Sequence, residues 1–330
     1  MIDLTGPPRP WSDRLVARYA SCQEHALRSP QWWRPPGWWG EPQLLERLAE
    51  LFGAPVERTV VNGGVRQFAT SWAVRASTAV VETPSYADIP VILGSRTCVR
   101  RVPWHALTDE SIQPPGTIWL TSPYRNPDGR CLDPALIAAA EELAGRGNTV
   151  VINQVYRWFD GAFATPPAPS GAWTVTSLAK IAGNGVRLGW ATTTAPDAIT
   201  RTLTSDGPPT AWQRAWARFL TRQNFQALWA DCVEPTLDAR LAFARRAGEL
   251  LGFDVRGRGP CLLLACVGIS EAAGIELLAG QGLRVSAGSA FGSPVDSVRL
   301  SFSGPTVAEA QAAAEAVARV ATRLRPVDRL

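Results

Sequence analysis

WTVTSLAKIAGNGVRLGW, residues 173–190, joins an alternating apolar run to a lysine, a glycine-rich segment and an arginine. The alternation at 173–177 is that of a strand, and Lys180 emerges just beyond its end. Of the 33 Lys and Arg residues in the 330-residue chain, Lys180 is the single lysine. The bias itself is compositional, because Ala, Arg, Gly and Pro are all abundant and arginine serves surface solubility as well as lysine does. A position that keeps lysine in such a chain marks a need for an amine. A guanidinium neither forms a Schiff base nor loses its proton in a protein, whereas a lysine amine does both. Ser177, three residues before the lysine, and Arg187, seven after it, are spaced to grip one phosphate between them.

Outward from this stretch, short apolar runs at 59–61, 79–82, 98–102, 117–122, 149–153 and 188–193 also read as strands, with helical segments between several of them, clearest at 134–144. Such β-α alternation predicts an α/β fold: a three-layer αβα domain whose mainly parallel sheet is covered by helices on both faces, with ligands beyond the carboxyl ends of the strands. After residue 197 the chain turns helical, with an interruption at Pro235. Strands at 262–268, 284–288 and 297–302 and a closing helix from Val307 then suggest a smaller α+β C-terminal domain. The expected division is an arm over 1–40, a large domain over 41–205, and a linking helix with the small domain over 206–330. The arm carries Trp32, Trp33, Trp38 and Trp39, and its prolines and glycines are expected to forbid a long helix.

Composition excludes several classes. At 46% hydrophobic and 19% charged, the chain is too apolar for disorder. A net charge of +4 without a basic run argues against nucleic acid. No run of about 18 apolar residues is present to span a membrane, and the first residues lack the apolar core of a secretory signal, so a cytoplasmic location is expected. The six cysteines form no C-x-x-C pair and read as reduced, mostly buried thiols. Two histidines, His25 and His105, are too few and too far apart for a zinc site, and no metal is expected. Ser177 and Lys180 match an S-x-x-K signature, but enzymes of that kind also need a K-T-G, which a chain with one lysine lacks.

A phosphate grip beside a Schiff-base lysine points to pyridoxal 5′-phosphate (PLP). From about residue 40 to 305 the chain resembles the fold-type-I PLP enzymes, the aspartate aminotransferase superfamily, on five further segments in the family's order. Asn62-Gly63-Gly64-Val65-Arg66-Gln67 resembles the phosphate cup, with Gly64, Val65 and Arg66 at a helix N-terminus. Glu82-Thr83-Pro84-Ser85-Tyr86 resembles the segment whose ring, here Tyr86, stacks on the pyridine. Residues 122–129 resemble the S-P-N-N-P-x-G segment with one residue extra, and the resemblance implies that Asn126 bonds the cofactor's phenolic oxygen together with Tyr156. Residues 152–156 stand where the family has D-x-x-Y, so Asn153 replaces the carboxylate that faces the pyridine nitrogen. The segment from Gly288 to Gly292 followed by Val298-Arg299-Leu300 is similar to the one whose arginine, here Arg299, binds the substrate carboxylate. The wording around Tyr156 and Lys180 is nearest to the alliinase and tryptophan-pyruvate aminotransferase branch.

The resemblance implies a PLP enzyme acting on an α-amino acid, with Lys180 as Schiff-base lysine and proton carrier, and a homodimer in which Trp39 of the arm reaches the substrate. Asn153 can hydrogen-bond the ring but cannot balance a pyridinium charge, and each pKa unit lost there removes about 1.4 kcal/mol of stabilisation. Three readings follow: an aminotransferase; a PLP-dependent C–S lyase or synthase of alliinase type; and a catalytically impaired protein of the same fold used for binding.

Overall fold

In the computed structural model the described residues are 1–6, 9–107, 112, 116–193, 207–252 and 258–327. The N-terminal arm holds a two-residue strand, β1 (Ile2–Asp3), and then a full helix, α1 (Asp13–Arg28), which corrects the expectation that prolines and glycines would keep it from helix. Those residues cluster at 6–10 and 30–40, and none falls between 11 and 29, so they bound a helix instead of breaking one. Leu15, Tyr19, Cys22 and Ala26 recur at helical spacing and are its buried face. The expected helix over the leucines that follow is α2 (Pro42–Phe52), stopped by Gly53 in the left-handed conformation at φ 65°.

The large sheet takes its strands from the runs read in the sequence: β2 (Thr59–Asn62), β3 (Thr78–Thr83), β4 (Cys98–Pro103), β5 (Thr117–Thr121), β6 (Thr149–Asn153), β7 (Trp173–Ser177) and β8 (Gly189–Thr192). Their spatial order is β2-β8-β7-β6-β5-β3-β4. All neighbours are parallel except β8, which runs antiparallel to both β2 and β7. Helices α3 (Val65–Ala73), α4 (Asp88–Gly94) and α5 (Pro134–Gly145) fall between them. The last begins on Pro134 after Asp133, whose carboxylate accepts from Leu136 N–H at 2.8 Å. Both sheet faces are buried. Trp119, Val151 and Val175 join one core with Phe68 and Trp72 of α3, while Ile118, Leu120, Val150 and Ile152 join another with Ala140 and Leu143 of α5. That arrangement is the three-layer α/β fold the alternation predicts.

A four-residue helix, α6 (Ala179–Ala182), carries the lysine. The expected boundary at 205–206 lies outside the described residues. Beyond it come α7 (Thr210–Phe219), α8 (Arg222–Cys232) and α9 (Glu234–Leu251), and Pro235 sits in the first turn of α9, where its missing N–H costs nothing. A second, smaller sheet is built from β9 (Cys261–Cys266), β11 (Ser286–Ala287), β12 (Ser297–Ser301) and β13 (Leu324–Pro326), in the order β11-β12-β9-β13. The run at 284–288 is therefore not one strand: it divides at Val285 into β10 (Leu283–Arg284), which pairs in parallel with β1, and β11. With α9, α10 (Glu271–Gly280) and α11 (Val307–Arg319), this sheet encloses its own core around Phe243, Leu264, Leu300 and Val317. A capping box between Thr306 and Glu309 starts α11.

Candidate active site

Thr121, Asn153 and Ser177 are the last residues of three adjacent parallel strands, and Asn62 ends β2 beside them. Above these strand ends lies a cavity of about 200 Å³ lined by Gly63–Arg66, Tyr86, Thr121, Asn126, Asn153, Val155, Tyr156, Ser177, Ala179, Lys180, Asn184, Arg187 and Leu188. Ten of the residues singled out in the sequence thus meet in one place, drawn from segments spread over more than a hundred positions: Gly64, Val65, Arg66, Tyr86, Asn126, Asn153, Tyr156, Ser177, Lys180 and Arg187.

One end of the cavity is an anion cradle. Gly64 precedes α3 at φ 102°, a conformation suited to glycine, and Asn62 Oδ1 accepts its N–H at 2.8 Å. The first N–H groups of α3, those of Val65 and Arg66, have no acceptor within the helix, and both residues line the cavity. A Cβ on Gly64 would lie 3.5 Å from that of Ser177, and one on Gly63 would lie 3.9 Å from Arg187 Nη2, so the glycines, the hydroxyl and the guanidinium surround one small volume. Arg187 itself is held in the left-handed region at φ 47°. The cations of the cavity lining are Arg66, Lys180 and Arg187, and no carboxylate lines the cavity among the described residues.

Lys180 opens into the same cavity, its Nζ 5.7 Å from the centre of the Tyr156 ring. Burial lowers its pKa, Cys261 acts to raise it, and the positive charge of Arg299 lowers it further. Tyr156 is held well above the usual tyrosine value, mainly by burial. Indole donors fix this segment. Trp158 Nε1 donates to Ser177 O at 3.0 Å, Trp11 Nε1 to Ala182 O at 3.0 Å and Trp212 Nε1 to Val186 O at 2.8 Å, so three tryptophans from three parts of the chain hold the backbone on both sides of Lys180 and just before Arg187.

Two expected site residues lie outside the lining. Arg299, on β12, is buried, with Nη2 donating to Thr5 O at 2.8 Å and its guanidinium 4.8 Å from the Phe291 ring centre. Its Nε is buried without a partner, and its charge reaches Tyr86, Tyr156 and Lys180. Trp39 is not brought to the cavity: it packs against the main core, and its carbonyl accepts from Val61 N–H at 2.7 Å. Other residues were not anticipated. Thr121 reaches the cavity only because its strand ends level with β6. Asp88 accepts from Tyr86 Oη at 2.9 Å and pairs with Arg66 at 3.1 Å, fixing the rim, and its signal in the sequence was no more than its place two residues after the tyrosine.

The residues present fit PLP. A phosphate suits the cradle, an aldehyde carbon suits the amine of Lys180, and Asn126, whose Oδ1 is buried with no partner, lines the same cavity. The six cysteines carry no disulfide; Cys22, Cys232 and Cys261 are buried, and Cys98 and Cys131 are exposed. No helix among the described residues is long and apolar enough to cross a membrane.

No protein-family model and no curated protein matches the chain. Solved structures do. An aspartate aminotransferase from Thermus thermophilus with maleate superposes at a TM-score of 0.80 and 22% identity, over 97% of this chain and 91% of that one. The aromatic aminotransferase from Pyrococcus horikoshii OT3 gives 0.79 and 20%, over 97% and 95%. An aminotransferase from Mycobacterium tuberculosis gives 0.78 and 20%, over 97% and 91%. At such identities the likeness is one of architecture, and the fold of this chain is that of the aspartate and aromatic aminotransferases.

Proposed function

We propose that the chain is a PLP-dependent enzyme acting on α-amino acids, and in the first place an aminotransferase. The observation that carries this reading is that the chain's single lysine and its anion cradle open into the same cavity. Gly64, Val65, Arg66, Ser177 and Arg187 would hold the cofactor's phosphate, Tyr86 would cover its ring, and Asn126 and Tyr156 would bond its phenolic oxygen. Lys180 would hold it covalently through Nζ. Bound PLP supplies an electrophilic carbon that condenses with amines and a ring that withdraws electrons from the substrate's Cα.

The chain's own residues do the rest. Lys180 Nζ, with its pKa below the ordinary lysine value, is the base that takes the proton from Cα and carries it. Arg299, whose buried Nε has no partner, would receive the substrate carboxylate. Tyr86, held through Asp88 and Arg66, keeps water from one face of the site. The exposed Trp33 and Trp38 of the arm support the homodimer that the motifs imply, with Trp39 behind them.

One observation favours a second reading, a C–S lyase or synthase of alliinase type: Asn153 stands where a carboxylate would strengthen the ring as an electron sink, and transamination depends on that sink more than elimination does. Purified protein reconstituted with PLP distinguishes them. An aminotransferase converts the visible absorption band to that of pyridoxamine phosphate with an amino acid and restores it with a keto acid. A lyase instead accumulates pyruvate with the band unchanged at the end. Lys180→Ala is expected to lose the covalent band, and a wild type that acquires no such band sinks both readings.

A further inference from the structure

Asn153 is only 3% exposed, and its side-chain orientation is fixed by a backbone donor. Val155 N–H, buried two residues on, needs an acceptor and finds it in Asn153 Oδ1 at 3.1 Å. An amide that gives its oxygen to an N–H cannot turn that oxygen elsewhere without leaving the donor unpaired, a loss that disfavours the flipped rotamer. The group left to face the cavity is therefore Nδ2, a donor. No described residue accepts from it, and it is not among the buried polar atoms that lack a partner, as expected of an atom opening onto the cavity.

The cradle and the lysine fix how a substituted pyridine lies there. With its phosphate arm at α3 and its aldehyde carbon at Lys180, the ring nitrogen, para to that carbon, is directed away from the lysine to the floor made by the strand ends, where Asn153 stands. A pyridinium N–H and an amide N–H cannot bond each other, whereas a neutral ring nitrogen accepts from the amide. Among the described residues nothing nearby opposes this choice. Arg66, Lys180, Arg187 and Arg299 around the cavity are cations, Asp88 is engaged by Arg66 and Tyr86, and Glu82, wholly buried, accepts from Trp104 Nε1 at 2.7 Å.

Resting on the PLP reading above, we propose that Asn153 donates its amide N–H to the cofactor's ring nitrogen and keeps that nitrogen unprotonated. The backbone N–H of Val155 is then part of the same device, since it determines which end of the amide the cofactor meets. A ring so held would be a weaker electron sink, so this role of Asn153 favours the second reading above, loss of a β-substituent, over transamination. The preferred substrate is then an α-amino acid with an electronegative β-substituent.

Holoprotein carrying PLP labelled with ¹⁵N in the ring tests this. The wild type should show the resonance of a neutral, hydrogen-bond-accepting pyridine, unmoved between pH 6 and 9, and Asn153→Asp should shift it to that of a pyridinium. A pyridinium resonance in the wild type overturns the proposal while leaving the PLP reading intact. Absence of any Lys180-dependent bound signal overturns both. A measurement independent of the variant's folding is the affinity of the wild type for the PLP analogue with carbon in place of the ring nitrogen. Loss of one hydrogen bond predicts binding about two- to tenfold weaker than PLP, and equal affinity sinks the proposal.

Discussion

Beside the cavity, single residues carry energies that can be separated from the chemistry. Glu82 is wholly buried on β3. Burial pushes its carboxyl up to about 7, against the opposing pull of Arg125 and the hydrogen bonds from Thr121 and Trp104. Raised above the ordinary value of 4.5, the folded form holds its proton after the unfolded chain has lost it, so stability is full below about pH 4.5, falls as pH rises toward 7 and levels off above. The loss has an upper bound on the order of 3 kcal/mol. Glu82→Gln keeps an acceptor for Trp104 and removes the charge, so denaturant midpoints should match the wild type at pH 5 and exceed it at pH 8; parallel profiles would refute the assignment. The site was legible at this scale wherever chemistry restricts residue type. One lysine among arginines, glycines at a strand end and a serine three before the lysine point to the cavity through residue type alone. Trp39 stays away from the cavity of its own chain, and an aromatic in an arm says nothing of which surface it meets; Thr121 was missed because one hydroxyl at a strand end carries no pattern.

At the scale of elements, β8 holds the cradle together. It runs antiparallel between β2 and β7, and its register sets Gly189 opposite both Asn62 and Ser177. A Cβ on Gly189 would lie 2.5 Å from Thr176 O, 2.8 Å from Asn62 Oδ1 and 2.8 Å from Gly64 Cα. The first and last of these are backbone atoms, so Gly189→Ala must displace the strand or the turn before α3. Tryptophan fluorescence titration with PLP should show affinity reduced at least about tenfold, with far-UV circular dichroism retained; unchanged affinity would mean the cradle is not formed by this crossing. Alternating apolar residues disclosed each large-sheet strand, but not that β8 is reversed, because direction is set by how the chain returns and not by which faces it buries. The shortest pieces escaped for a related reason. β1 and β13 are two and three residues long, too short for a period to be counted, and exist through pairing with partners far away in sequence. The prolines and glycines of the arm flank the helix α1 and do not enter it, and its Tyr19 packs 4.7 Å from Trp216, while Trp11 just before it stacks 5.7 Å from Phe219.

Across the whole molecule, the N-terminal segment ties the small sheet to the cavity. Ile2 and Leu4 donate their N–H groups to Gly282 O and Arg284 O at 2.8 Å each, Ser301 N–H donates to Leu4 O at 2.7 Å, and Leu4 is fully buried in the small-domain core. Thr5 O then receives Arg299 Nη2, and the chain turns at Gly6, φ 96°, beside Lys180. No side chain fits there easily: a Cβ on Gly6 would lie 2.7 Å from Ser301 Oγ and 3.1 Å from Arg299 Nη2, in a conformation that L residues rarely adopt. Gly6→Ala should therefore displace Arg299 while leaving the cradle, the lysine and the tryptophans that fix them untouched. If Arg299 receives the substrate carboxylate, KM for amino acids rises severalfold, on the order of 1 kcal/mol of lost binding, while the Lys180-dependent absorption band and the affinity for PLP remain those of the wild type. A fall in PLP affinity in step with the rise in KM would place the damage in the fold as a whole, and an unchanged KM would remove Arg299 and the N-terminal segment from substrate binding.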